Sequence, residues 1–266
     1  ESKVFTRVID DFPYLSDDEL ESAIHYSAEE FVPLPVDQVN LHWEVIGRSK
    51  PKNRTAVLVV AAPKNIVEKY LKVLELAALK PRVLETEIIA AARAIVGGNS
   101  RSPTTLICQL GASASDFAIV SKGMILLTRS ISSGSLALTR AISQYLNLEM
   151  IQAEEYKKVY GLMEDQVGGK IYQIIKPLID LVVAEAARII KAYQVKSPSD
   201  QVKRVVLSGG GAKLPGLVVY MANFLGLEVQ EADPWYLVEK PPSLQSKLIS
   251  EGPAFTVAVG LSLRRE

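Results

Sequence analysis

Two glycine-rich turns hold the residue types best suited to chemistry in this chain. The later one, Ser208-Gly209-Gly210-Gly211-Ala212-Lys213-Leu214-Pro215-Gly216, follows the apolar run Val205-Val206-Leu207 and leads into a helical pattern. Consecutive glycines remove every Cβ where the chain turns, so backbone N–H groups can approach a ligand closely. A helix start adds unpaired donors and a partial positive charge, a seat for phosphate or for the face of an adenine ring. The same residues also suit a tight strand-to-helix turn required only by packing. The earlier turn, Leu110-Gly111-Ala112-Ser113-Ala114-Ser115, joins two strand patterns. Its small side chains permit a backbone nest around an anion, and they equally fit an ordinary hairpin.

Other chemistries lack their residues. A P-loop is excluded, because Gly169-Lys170 has Glu164 where the required Gly should stand. No G-x-G-x-x-G follows a strand with an acidic residue about 20 positions on, so no dinucleotide fingerprint is present. His25 and His42 have no cysteine neighbours to complete a zinc site, and no nucleophile elbow supports a serine triad. Both histidines read as structural, and Trp43 and Trp235 as packing residues. Cys108, the single cysteine, sits in the apolar run Leu106-Ile107-Cys108 and reads as a core residue. One cysteine excludes a disulfide framework within the chain and fits a reducing compartment. The 30 basic and 30 acidic side chains cancel, so composition offers no basic face for nucleic acid. No run of about 18 apolar residues predicts a membrane span. The chain opens on Glu1-Ser2-Lys3-Val4-Phe5-Thr6-Arg7-Val8, without a start Met, and reads as a strand already under way.

The elements that position these turns follow from periodicity and punctuation. A strand ends at Phe12-Pro13, and Ser16 with Glu19 forms a capping box for a helix to about Phe31. Pro33 and Pro35 stop it. Two β-rich runs follow, near Val39–Gly47 and Thr55–Ala62. A helix then opens at Pro63 and runs through Leu79 to Pro81. This is a compact α+β module. Residues 82–96 predict a short strand and an alanine-rich helix, and Gly97-Gly98-Asn99-Ser100 predicts a linker. A β-meander comes next at Thr105–Leu110, Ala114–Val120 and Met124–Ile131, with Lys122-Gly123 as a tight turn. Helices are expected over Leu136–Leu146, Ala153–Tyr160 and Ile171–Tyr193, the last kinked or started by Pro177. Another resumes at Leu214, and a final one begins near Pro253.

Two nucleotide-type turns, one in a β-meander and one before a late helix, form the layout of the second lobe of the actin-like superfamily. The chain resembles, over nearly its whole length, the PilM family of type IV pilus assembly proteins, with the FtsA cell-division proteins more distant. The stretches Val4-Phe5-Thr6-Arg7-Val8-Ile9, Glu29-Glu30-Phe31-Val32-Pro33-Leu34-Pro35 and Trp43-Glu44-Val45-Ile46-Gly47 resemble that family's small SHS2-type subdomain. Leu106–Val120 is similar to its second phosphate motif, Ser208–Leu217 to its adenosine motif, and Pro253-Ala254-Phe255 with Val259-Gly260-Leu261 to its closing helix. Ala153-Glu154-Glu155-Tyr156-Lys157 resembles the helix that contacts ribose and adenine, although such charges alone also suit a solvated face.

The resemblance implies an α/β fold of actin-like, ribonuclease H-like type with α+β lobes. Residues 1–81 would form the SHS2-like subdomain, 82–100 a connection, and 101–266 the second lobe. Within that lobe one subdomain would take about 101–150 and 234–266, and the other about 151–233. The first phosphate loop would lie upstream of Glu1. The implied ligand is ATP with Mg²⁺, held by Gly111, Ala112, Ser113, Glu154, Lys157, Gly209, Gly210, Gly211 and Lys213. The implied partner is the N-terminal cytoplasmic tail of the inner-membrane protein PilN, which would hold the chain in the cytoplasm at the inner membrane. Self-association and contacts with other pilus assembly proteins are also implied. Gln109 stands where the family usually has Asp, whose carboxylate helps hold the metal and the attacking water. A neutral amide binds Mg²⁺ poorly, which argues for a scaffold over an active ATPase. An FtsA-like division protein is the further alternative. It would call for a membrane-binding C-terminal helix, which Leu263-Arg264-Arg265-Glu266 does not supply.

Overall fold

The computed structural model describes residues 4–264. The chain forms two units, one running to Thr86 and taking in Ile125–Thr128, the other comprising Glu87–Met124 and the chain from Arg129 onward.

The first unit is built from β1 (Phe5–Phe12), α1 (Asp17–Phe31), β2 (Val39–Ser49), β3 (Arg54–Pro63) and α2 (Lys64–Leu76). Its antiparallel sheet runs β1-β3-β2, so the most apolar strand is central. Helix α1 starts at the expected capping box: the Glu19 carboxylate accepts from the Ser16 N–H at 2.9 Å and from its hydroxyl at 2.6 Å. Leu20, Ile24 and Ala28 recur every four residues and are buried as one stripe, Leu20 and Ile24 against Val57 and Val59 of β3. His25 stacks edge-on to Trp43 with centroids 6.1 Å apart, a packing role for both.

Helix α2 ends at Leu76, short of the expected Leu79, because Ala78 takes a left-handed φ of 55°. The short strand expected after Arg82 does not form. Lys80 to Leu84 are exposed there with no neighbouring strand to complete a ladder.

The second unit holds α3 (Glu87–Val96), β4 (Thr105–Leu110), β5 (Ser115–Ser121), the ends of β6 (Met124–Ile131, whose Ile125–Thr128 fall in the first unit), α4 (Ser135–Leu146), α5 (Met150–Tyr160), α6 (Lys170–Lys196), β7 (Arg204–Ser208), α7 (Leu217–Leu225), β8 (Glu228–Glu231) and α8 (Gln245–Ser262). Its sheet has the order β6-β5-β4-β7-β8, antiparallel between β4 and β5 and parallel from β4 through β7 to β8. Every residue of β4 and β5 is buried, as expected of strands covered on both faces. Lys122 and Gly123 both have positive φ, 52° and 80°, the pairing a two-residue hairpin turn requires.

Three expectations shift. Pro177 lies inside an unbroken 27-residue α6, which starts earlier, at Lys170. Its buried stripe, from Ile171 through Ile179 to Ile189, outweighs the one hydrogen bond that proline cannot donate. The helix expected at Leu214 is instead a 3-10 turn, Gly210–Lys213, and α7 waits for the left-handed Gly216. Helix α8 begins at Gln245 and carries Pro253 within it. Strand β8, which periodicity does not mark, is recruited by pairing to β7.

Helix α8 crosses α3 at contact distance. A Cβ placed on Gly260 would lie 1.9 Å from the Ala90 carbonyl oxygen, so only glycine allows the approach. The Arg93 guanidinium reinforces the crossing by donating to the Gly260 carbonyl at 2.8 Å.

Candidate functional site

The second unit encloses a cavity of about 500 Å³ whose lining comes from both glycine turns and from five helices. Its apolar walls are Leu138 of α4, Leu178, Ile179 and Val182 of α6, and Leu214 with Leu217 beside α7. Glu154, Lys157 and Lys158 of α5 and Glu251 of α8 supply charge, as does Lys213 from the later turn.

The two turns are pressed together. Gly209 has φ +82°, and a Cβ there would meet the Leu110 carbonyl oxygen at 2.4 Å. A Cβ on Gly211 would lie 2.9 Å from the Leu110 Cβ. These two glycines therefore serve close packing, and the Gly209 N–H donates to the Pro253 carbonyl of α8 at 2.7 Å. Gly210 has open space around it and lines the cavity. Gly211 lines the cavity too, but Gly210 is the member of the triplet with room beside it for a ligand.

The earlier turn works mainly as an acceptor. The carbonyls of Gly111 and Ala112 each accept from α4, from the N–H groups of Ser135 and Leu136 at 2.9 Å. The turn thereby satisfies donors at the helix N-terminus. Gly134 must be glycine for this approach, since its Cβ would stand 2.5 Å from the Ala112 oxygen. Gly111, Ala112, Ser113 and Gly209 are not part of the lining, and Ala112 and Ser113 are exposed to solvent. Leu110, Ser115, Gly210, Gly211 and Lys213 line the cavity.

Glu154 and Lys157 come together as the spacing of one helical turn requires. The buried Lys157 Nζ donates to the Glu154 Oε2 at 2.7 Å, to the Thr139 hydroxyl at 2.9 Å and to the Ser135 carbonyl at 3.2 Å. Thr139 in turn donates to Glu154 at 2.6 Å, which ties α5 to α4. Burial pushes the Glu154 carboxyl upward, but the hydrogen bonds from Lys157 and Thr139 outweigh it and leave its pKa below the ordinary value. Lys213 pairs with Glu251 at 2.9 Å on the half-exposed rim.

Gln109 is buried beside Ser208, its neighbour in the β4–β7 register, and its amide oxygen accepts from the Ser208 hydroxyl. It stands outside the lining, committed to joining the two turns. Among the described residues no group of three or more His, Cys, Asp or Glu could hold a metal ion.

Sequence reasoning missed Ser133, Lys158, Glu251 and the apolar walls. Leu178, Ile179 and Val182 belong to a helical stripe, and periodicity cannot separate a stripe that packs from one that lines a cavity. Such a slot, apolar on its walls and charged at one rim, can take a flat ring bearing hydroxyl or anionic groups.

The model of the type IV pilus assembly protein PilM family matches residues 1–266. The chain belongs to that family. A solved PilM-PilN type IV pilus biogenesis complex superposes with a TM-score of 0.86 at 27% identity, over 98% of this chain and 76% of that one. The cell division protein FtsA of Neisseria meningitidis serogroup B is 23% identical over 238 residues, or 82% of this chain. The chain spans 56% of that relative's length. MreB 5 of Spiroplasma citri, solved bound to AMPPNP, superposes with a TM-score of 0.56 at 18% identity, over 76% of this chain and 64% of that one. The fold is thus the actin-like one of PilM and MreB, as the sequence resemblance implies. No helix among the described residues is long and apolar enough to cross a membrane.

Proposed function

We propose that this chain is an actin-like scaffold of type IV pilus assembly, which binds the N-terminal tail of a PilN-type inner-membrane protein. The observation that carries this reading is the family match over the whole chain, joined to the likeness to a PilM structure solved with PilN. The tail would dock in a groove beside the small α+β unit and keep the scaffold on the cytoplasmic face of the inner membrane.

The cavity would hold the adenosine part of ATP, with Glu154 and Lys157 toward the ribose and adenine and the Gly210–Lys213 turn against the adenosine. Resident Mg²⁺ does not fit the groups present. Gln109 offers a neutral amide already engaged by Ser208, and no cluster of carboxylates stands beside it among the described residues. The chain therefore holds nucleotide without turning it over, and its residues supply shape and charge instead of a hydrolytic water site.

A pull-down of the full chain with a synthetic PilN tail tests the reading. Retention of the tail is expected, and no retention by the full-length protein would overturn it. ATP-dependent phosphate release should stay at the level of buffer, and turnover above it would restore the active-ATPase alternative.

A further inference from the structure

A second cavity of the same unit, of about 350 Å³, shares no lining residue with the first. It lies between the end of α3 and the strands β7 and β8, with Ile95, Val96 and the buried Val206 as its apolar side. The half-buried Arg204, first residue of β7, is the one cation of its lining. Arg129 and Arg188 of this unit share the buried Glu185, whereas among the described residues no carboxylate pairs with Arg204. The Arg204 Nε donates to the hydroxyl of the fully buried Thr105 at 3.0 Å, and Thr105 donates onward to the Pro103 carbonyl at 2.7 Å. One edge of the guanidinium is thereby fixed, and its two terminal nitrogens are left as donors for a ligand.

Tyr236 adds a donor. Its hydroxyl sits against Gly97 at the end of α3, 2.6 Å from where a Cβ would stand, and has no hydrogen-bond partner among the described residues. Burial pushes the hydroxyl's pKa up and the positive charge of Arg204 draws it down, which places the two groups near each other. Asn99 turns its side-chain oxygen to the Arg101 N–H at 2.9 Å, so its NH₂ is a further donor on the lining. Glu231 and Asp233 also line the cavity, and their charge opposes a ligand with two negative groups. A single planar carboxylate matches the guanidinium fork.

We propose that this cavity binds a small monocarboxylate, its carboxylate on Arg204 and Tyr236 and its aliphatic part on Val206 and Ile95. The site is independent of the nucleotide reading, and no sequence motif points to it.

An amide chemical-shift titration of the isotope-labelled full chain with hexanoate tests the proposal. Shifts are expected at Gly97, Asn99, Ser102 and Gln230 and not at Lys157 or Gly210, with a dissociation constant on the order of 1 mM. Hexylamine, the same chain with the opposite charge, should bind at least about tenfold more weakly, and adipate should bind no more than about threefold more tightly. Arg204→Gln should weaken hexanoate by more than about tenfold, and Tyr236→Phe roughly three- to tenfold. Tyr236 is 49% exposed, so its variant should keep the fold even where Arg204→Gln does not, and circular dichroism checks both. The proposal is overturned if hexanoate shifts none of the four amides, if hexylamine binds as tightly as hexanoate, or if adipate exceeds that threefold limit. Wild-type affinity in Tyr236→Phe overturns it as well.

Discussion

Gly209 and Gly210 are chemically identical neighbours with opposite expected tolerance. Gly209 combines φ +82° with a Leu110 oxygen 2.4 Å from the missing Cβ, whereas Gly210 has nothing within 4 Å. Gly209→Ala should therefore cost about 2–4 kcal/mol, since both backbone strain and a backbone clash must be relieved. Gly210→Ala should cost less than about 1 kcal/mol. Urea unfolding of the two variants checks this, and equal midpoints would refute the packing role of Gly209. The triplet was visible in the sequence, but its division of labour was not. Whether a Cβ is tolerated depends on Leu110, which lies almost a hundred positions away and arrives only with the β4–β7 register.

Among the elements, those with a local signal were legible and those without one were not. The capping box at Ser16 and Glu19, the β-rich runs of the first unit and the Lys122-Gly123 turn all declare themselves within a few residues. Strand β8 does not, because Val229 is the one buried residue among Glu228-Val229-Gln230-Glu231 and the pairing comes from β7. The start of α8 was hidden by Pro253, which reads as a helix beginning yet sits two turns inside. The candidate site was legible where it resembles a motif, at Glu154, Lys157 and Gly210–Lys213. It was illegible where it is only apolar wall. The α3–α8 crossing gives a prediction at this scale. Gly260→Ala should destabilise the protein by at least about 2 kcal/mol, because the added methyl meets backbone and the helices must part. A thermal melt unchanged from wild type would show that the crossing yields easily.

For the whole molecule, stability in acid should depend on Asp200. Its carboxylate accepts from Thr104 at 2.6 Å, from Ser121 at 2.7 Å and from Tyr193 at 2.7 Å, fastening the end of α6 to the sheet. Burial raises the carboxyl pKa, but the three hydroxyl donors outweigh it and bring it below the ordinary value. A depressed folded-state pKa means that the stabilisation is complete above the unfolded value, near 4, and is lost as pH falls through the folded one. Asp200→Asn should thus lower the urea midpoint near neutral pH and flatten its fall between about pH 5 and pH 3. Parallel pH profiles of variant and wild type would count against this network as an acid-sensitive fastening.

Helix α8 is pinned twice, by the Gly209 N–H on the Pro253 carbonyl and by Gly260 against Ala90. The two pins are seven residues apart, about 10 Å along a helix. At both, a glycine has removed the clearance that a side chain would otherwise need. In mechanical terms α8 is a lever without backlash: a displacement imposed at the turn beside the cavity has no slack to take it up and must reach α3.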